Sequence, residues 1–175
     1  MGSEMCISDS FKAVEGAIAE LGLDDTQLPA IDEELVCVTE NDACCVDAIQ
    51  CLLGCTYGKA NLIPRLRGKM AFTFFVRDEN SSAAKAVRLF LKPEAGEGMS
   101  RDEYQNYLLN TPYTELFEVL EPRIALPEPA RHFASEHCSV CGEYTAEYGL
   151  RLQDGKPVCL DCYSAYAVSY THLRA

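Results

Sequence analysis

Basic charge is scarce in this sequence. Fifteen lysines and arginines stand against 27 aspartates and glutamates, a formal net charge of −12. Nucleic-acid phosphates would meet net repulsion from such a chain, so nucleic acid is not expected as a partner. Apolar runs fall far short of the roughly 20 residues that a membrane span needs, and no basic segment followed by an apolar one opens the chain. The reading is a cytoplasmic protein with no membrane partner. There is no internal repeat and no long polar or Gly/Ser-rich tract. With 48% hydrophobic and 24% charged residues, the composition is globular. Histidine is also thin: all three lie after Pro129. A nucleophile in the preceding core therefore has no evident imidazole base.

Cysteine, by contrast, is plentiful. Ten cysteines without an export signal point to reduced thiols and metal binding rather than to a disulfide scaffold. Four fall in two Cys-x-x-Cys knuckles, Cys138–Cys141 and Cys159–Cys162, separated by 17 residues. Each knuckle turns tightly enough to aim two thiolates at one point, and Gly142 relieves crowding behind the first. Together they complete a zinc tetrahedron with no open position, so the predicted zinc is structural rather than catalytic. Between them, Tyr144 to Val158 with an Asp154-Gly155 turn suits a hairpin, and Leu160 to Tyr166 a short helix. That order resembles a treble clef.

The remaining chain predicts an α+β core. Phe11, Val14, Ala17, Ile18 and Leu21 have helical spacing from Ser8 to Leu21, with Gly22 as the stop. Leu35 to Val38 reads as a buried strand. Asn41 or Asp42 is placed to cap a second helix running to Leu53, ended by Gly54. Met70 to Arg77 and Lys85 to Lys92 read as an antiparallel hairpin. Ser100 and Glu103 form a capping-box pattern for a helix through Leu109, and Thr111-Pro112 starts another through Leu120. Residues 1–121 then form the core, and the proline-bearing stretch 122–134 is an extended linker. Residues 135–167 form the zinc-binding domain, and 168–175 read as a non-native tail outside the fold.

Along a helix starting at Asp42, Cys51 and Cys55 each return to within about 20° of Cys44 at 100° per residue. Val46, Ile49 and Leu53 make an opposing stripe. Small apolar cysteines often merely fill an interior, and Cys37 and Cys45 are read that way. Cys44 differs because a place in the first helical turn favours the thiolate. The following loop, Gly54 to Asn61, adds two glycines, Cys55, Lys59 and an amide, the kind of loop that frames sites. A basic group formed by Lys59, Arg65, Arg67 and Lys69 reads first as a solvated loop.

The run Glu40-Asn-Asp-Ala-Cys44-Cys-Val-Asp47 through Gly54-Cys55-Thr-Tyr-Gly58-Lys-Ala-Asn61, followed by Gly68-Lys-Met-Ala-Phe-Thr-Phe, resembles the E-type subunit family of formylmethanofuran dehydrogenase. The resemblance extends from about Ser8 to Cys162 and implies an α+β core with an auxiliary treble-clef zinc finger. It also implies a homodimer and an accessory or stand-alone role in anaerobic one-carbon or molybdenum/tungsten redox metabolism, beside the subunits of such an oxidoreductase. Family members usually begin His-Gly-His-x-Cys. Here that register holds Gly2-Ser3-Glu4-Met5-Cys6, keeping only the cysteine. The resemblance makes Cys6, Cys44 and Cys55 a second metal site. It leaves Glu40 or Asp42 to add a carboxylate, and Lys59 and Asn61 to orient a ligand beside Cys44 and Cys55. Two readings compete with it: a zinc-finger interaction or regulatory module with no catalytic core site, and a hydrolase or transferase with Cys44 as nucleophile.

Overall fold

The computed structural model describes residues 3–24, 26, 28–78, 80, 82–93 and 97–165. The expected tail at 168–175 lies outside them. The chain divides into two compact units, Met1–Ala130 and Arg131–Ala175.

The first unit begins with α1 (Ser3–Leu21), five residues longer at its start than its apolar spacing suggested. It closes as expected. The Leu23 N–H returns to the Ile18 carbonyl at 3.0 Å across a left-handed Gly22. Five strands form one sheet in the order β2-β1-β3-β4-β5. They are β1 (Leu35–Thr39), β2 (Leu62–Pro64), β3 (Ala71–Arg77), β4 (Ala83–Leu91) and β5 (Phe117–Leu120). Three pairings are antiparallel, including the expected β3–β4 hairpin, while β1 and β2 run parallel with Cys37 opposite Leu62.

The strands alternate cleanly between two faces. Leu35 and Cys37 from β1, Phe72 and Phe74 from β3, and Val87 and Leu89 from β4 point into the main core. There they meet Ala13, Val14, Ala17 and Leu21 of α1 and Tyr104 and Leu108 of α3 (Arg101–Asn110). The α3 capping box forms as its sequence predicts, with Ser100 accepting from the Glu103 N–H and the Glu103 carboxylate accepting from the Ser100 N–H. The opposite face carries Val36, Val38 and Phe75. The proline-bearing stretch after β5 runs extended over it, laying Ile124 and Leu126 on these side chains. Arg77 donates to the Pro127 carbonyl at 2.9 Å, and the Ala130 N–H reaches the Glu33 carboxylate at 3.1 Å. This part of the predicted linker is therefore a strap covering apolar surface that the sheet would otherwise expose.

Two helical expectations need correction. Residues after Thr111-Pro112 form only one turn, α4 (Tyr113–Leu116), and Phe117 to Leu120 then extend as β5 along β4. Pairing with an open strand edge supplies backbone partners that an isolated short helix lacks. Thr111 closes α3 rather than capping α4. The second helix is likewise broken. Residues 43–45 form a turn, α2 spans only Val46–Ala48, and Ile49–Leu53 wind with the wider π-helical hydrogen bonding.

The second unit holds two small antiparallel pairs. In the first, β6 (Ser135–His137) pairs with β7 (Tyr144–Ala146); in the second, β8 (Leu150–Gln153) pairs with β9 (Lys156–Cys159). Asp154 and Gly155 both take left-handed φ, 52° and 74°, as a two-residue hairpin turn requires. Leu160 to Cys162 form a turn and residues 163–165 are irregular, so the expected helix is not present there. Its end at Tyr166 lies outside the described residues.

Candidate functional site

The four ribbon cysteines converge. The sulfur atoms of Cys138, Cys141, Cys159 and Cys162 all lie within 4.8 Å of one another. Cys141 and Cys159 are 3.9 Å apart, against about 3.8 Å for the edge of a tetrahedron with Zn–S bonds of roughly 2.3 Å. A disulfide needs about 2.05 Å, so these are metal-ligand distances rather than cross-link distances. The knuckle backbone supports the thiolate form. The Val140 and Cys159 N–H groups point at the Cys138 sulfur at 3.4 and 3.3 Å.

Hydrogen bonding from the Cys159, Cys141 and Val140 backbone lowers the Cys138 thiol to about 6. The neighbouring Cys159 and Cys141 thiols push Cys162 up to about 12. Crowding by neighbouring thiols makes deprotonation harder for Cys141 and Cys162 when no cation is present. A dication removes that resistance, so the donor set fits zinc. Among the described residues this is the one group of three or more potential metal ligands that converges in this way.

The core cysteines do not form the predicted stripe. Cys55 is fully buried with its thiol 3.5 Å from the Leu35 carbonyl, Cys51 is exposed, and Cys44 is half-buried. The prediction assumed 100° per residue from Asp42, and the turn followed by π-helical winding breaks that phase. Cys44 precedes α2 in the turn, so it does not occupy a first helical turn; a three-residue helix also offers little dipole. Burial first, and then the Glu34 charge, push the Cys55 thiol up to about 12. Burial and the adjacent Cys55 and Cys45 raise Cys37 well above the ordinary thiol value. Cys6 lies on α1, and its side chain is outside the described residues.

Lys59 and Asn61 are occupied by the fold. The buried Asn61 amide donates to the Asp32, Leu35 and Gly54 carbonyls at 3.0, 2.9 and 3.3 Å, while its oxygen accepts from the Thr56 N–H at 2.8 Å. Lys59 donates to the Ala30 carbonyl at 2.7 Å. Both tie the loop after Gly54 to residues 30–35 instead of facing a ligand. Gly54, with φ +71°, ends the π-helical segment where a Cβ would lie 2.6 Å from the Ala30 oxygen. Glu40 is also committed, to Arg88. Neither Asn41 nor Asp42 caps α2, whose N-cap position is Cys45 with no side-chain cap; the Asn41 side-chain oxygen instead accepts from the Ala43 N–H and the Cys45 thiol at 3.1 Å each, closing the turn before the helix.

Cys44 instead opens onto a cavity of about 260 Å³. It lies at the carboxyl ends of the parallel strands β1 and β2, the position where crossover connections commonly leave room for a ligand. Thr39, Asn41, Asp42, Asp47 and Tyr57 share its wall. Sequence reasoning found Cys44 and Asp42 but missed Tyr57 and the short strand β2. His132 and His137 belong to the second unit, so neither belongs to the unit that carries Cys44.

Residues 9–120 match the family model described as FmdE, molybdenum formylmethanofuran dehydrogenase operon. The chain belongs to this family. Residues 133–166 match the prokaryotic dksA/traR C4-type zinc finger, which with the converging sulfurs makes the ribbon a zinc-binding site. A curated relative from Archaeoglobus fulgidus, named a probable S-adenosyl-L-methionine-binding protein, is 27% identical over 174 residues. That alignment covers 86% of this chain and 46% of the relative, so the FmdE-family chain spans about half the relative's length. A tungsten formylmethanofuran dehydrogenase FmdE-like protein from Syntrophus aciditrophicus superposes with a TM-score of 0.49 at 20% identity. The superposition covers 87% of this chain and 91% of that one.

Proposed function

We propose that this metal-binding FmdE-family protein serves as an accessory or stand-alone component of anaerobic one-carbon or molybdenum/tungsten redox metabolism. Its ligand site in this reading is the cavity beside Cys44. The observation that carries the proposal is the position of that thiol. Among the described cysteines of the first unit, Cys44 is the one on the cavity wall, while Cys37, Cys45 and Cys55 are buried in the core. The second-metal form of this reading adds Cys6 and Cys55 to Cys44. Such a metal must draw Cys55 away from the Leu35 carbonyl.

Metal analysis of anaerobically purified protein tests this form. A second equivalent that survives Cys138→Ser and disappears in Cys44→Ser supports it. One zinc alone, abolished by Cys138→Ser, removes the second metal from the proposal. The family also suggests association with dehydrogenase subunits and a homodimer, measurable by co-purification and light scattering. The relative's name suggests a direct ligand trial. A sulfonium cation suits a cavity wall that carries Asp42, Asp47 and Tyr57 and, among the described residues, no lysine or arginine. Calorimetric titration of S-adenosylmethionine into wild type and Asp42→Asn, with no heat from either, would set that ligand aside.

A second reading, the interaction module, has its own support. The zinc-binding unit leaves Val140, Tyr144, Tyr148, Leu152 and Leu160 exposed, a large apolar display for so few residues. Loss of partner binding in Leu152→Ser with zinc content intact would favour docking through the finger.

A further inference from the structure

The basic residues left unexplained by the cavity and the zinc site gather at one end of the sheet. Arg65, Arg67 and Lys69 follow β2 in a single exposed loop, and Arg123 comes from the start of the strap. Their common neighbour is the end of β1. The Arg65 N–H bonds the Thr39 carbonyl at 2.8 Å, and the Arg67 and Lys69 N–H groups bond the Glu40 carbonyl at 2.7 and 3.4 Å. The Lys69 carbonyl accepts from the Asn41 amide at 3.1 Å. Lys69 and Arg123 both act electrostatically on the Glu40 carboxylate, which is itself paired with the buried Arg88.

Two features of this loop suit it to an anionic partner. First, its backbone is pinned by those four hydrogen bonds while its charged ends stay exposed, so ordering the loop on binding would cost little. Second, in a protein with 27 acidic residues, none of these four cations forms an ion pair with a described carboxylate within 4 Å. The carboxylate that acts on Lys69 and Arg123 is Glu40, and it is already paired with Arg88. Leu66, half exposed, stands among them as an apolar contact point.

We infer that the Arg65–Lys69 loop with Arg123 is a docking surface for an acidic protein segment that carries apolar side chains. Leu66 favours such a segment over a nucleic acid, whose phosphates offer nothing apolar to it, and the net charge of −12 opposes a long polyanion. A local acidic patch is attracted at contact, because ionic screening confines the repulsion from the rest of the surface to about 8 Å. Thr39 and Pro64 border both the loop and the Cys44 cavity, so a docked partner would sit beside the cavity mouth. The docking inference stands whether or not Cys44 is the working thiol.

Fluorescence anisotropy with the full-length chain tests it, using a labelled peptide of alternating glutamate and leucine and, separately, a labelled oligothymidylate of equal charge. The expected result is peptide binding that weakens on the order of tenfold between about 50 and 300 mM salt, as screening dictates. Arg65→Glu with Arg67→Glu should lose at least about tenfold in peptide affinity. Lys156→Glu, a charge change of the same sign in the zinc-binding unit, should leave it within about twofold. The substituted side chains are exposed, and circular dichroism with zinc content verifies the fold. Arg65→Gln with Arg67→Gln should fall between wild type and the reversed variant. The inference is overturned by no peptide binding to wild type, by equal binding to the reversed variant, or by tighter binding of the oligothymidylate than of the peptide.

Discussion

Arg88 Nε donates to Glu40 Oε1 at 2.7 Å, joining β4 to the residue that follows β1, and both side chains are buried. The guanidinium also lies over the Phe90 ring, 5.5 Å from its centroid, which adds a cation–π contact. Such a pair is a poor contributor to net stability, yet breaking it from one side is costly because a buried charge is left behind.

Glu40→Gln should therefore lower unfolding free energy in urea by about 3–5 kcal/mol. Replacing both partners, Glu40→Met with Arg88→Met, should recover most of that loss. The hydrogen bond from Arg88 holds the Glu40 carboxyl below its ordinary value of 4.5. Its contribution is accordingly present above pH 4.5 and fades as pH falls through the lower folded value. Urea midpoints measured from pH 6 down to pH 3 should thus fall less steeply for Glu40→Gln than for wild type. Parallel curves would dissociate Glu40 from acid stability.

Asn61 offers a second test, because its amide bridges three carbonyls from two segments, Asp32 and Leu35 in one and Gly54 in the other. Asn61→Ala removes a partner from the Gly54 carbonyl, leaves the Leu35 carbonyl with the weak Cys55 thiol donor, and frees the Thr56 N–H. A cost on the order of 3 kcal/mol or more follows. Asn61→Asp should be no better, since a carboxylate accepts from Thr56 but cannot donate to the three carbonyls. If Asn61→Ala instead keeps full stability but loses a ligand, the amide belongs to the site and not to the loop.

Local chemistry was the most legible part of this molecule. Two Cys-x-x-Cys knuckles specify a zinc site because both spacing and ligand type are written within a few residues. The Ser100–Glu103 capping box and the left-handed stops at Gly22 and Gly54 were legible for the same reason. Elements decided by distant partners were not. Phe117 to Leu120 becomes a strand because β4 offers an edge, and β2 is three residues ending in Pro64, too short to leave a pattern. The cysteine stripe failed because helical phase is a global assumption about a segment, and a π-helical turn breaks it. Asn61 looked like a site residue because a buried amide in a glycine-bearing loop has the same sequence signature whether it binds backbone or ligand.

Thiol accessibility separates the core cysteines. In zinc-loaded native protein, iodoacetamide should label Cys51 and Cys44 while sparing Cys37, Cys45 and Cys55 until the chain unfolds. Mass spectrometry of timed aliquots gives the order. Cys55 should also resist at elevated pH, because its thiol is pushed up to about 12 by burial. Labelling of Cys55 as fast as Cys51 in folded protein would place it at an open site and revive its role as a ligand.

Zinc removal should act on one unit alone. Among its described residues the second unit buries only Cys138, Val158 and Cys159 as hydrophobics, a core too small to hold it once the thiolates lose their cation. The first unit packs its sheet between α1 and the strap. Chelation, or Cys138→Ser, should expose residues 131–165 to limited proteolysis at least tenfold faster, as expected for a metal-folded segment. The thermal midpoint of the β-sheet unit should stay within about 2 °C, because no packing in that unit is lost. Collapse of both units together on chelation would show that the zinc-binding unit supports the core, and the finger could then no longer be treated as an independently folding attachment.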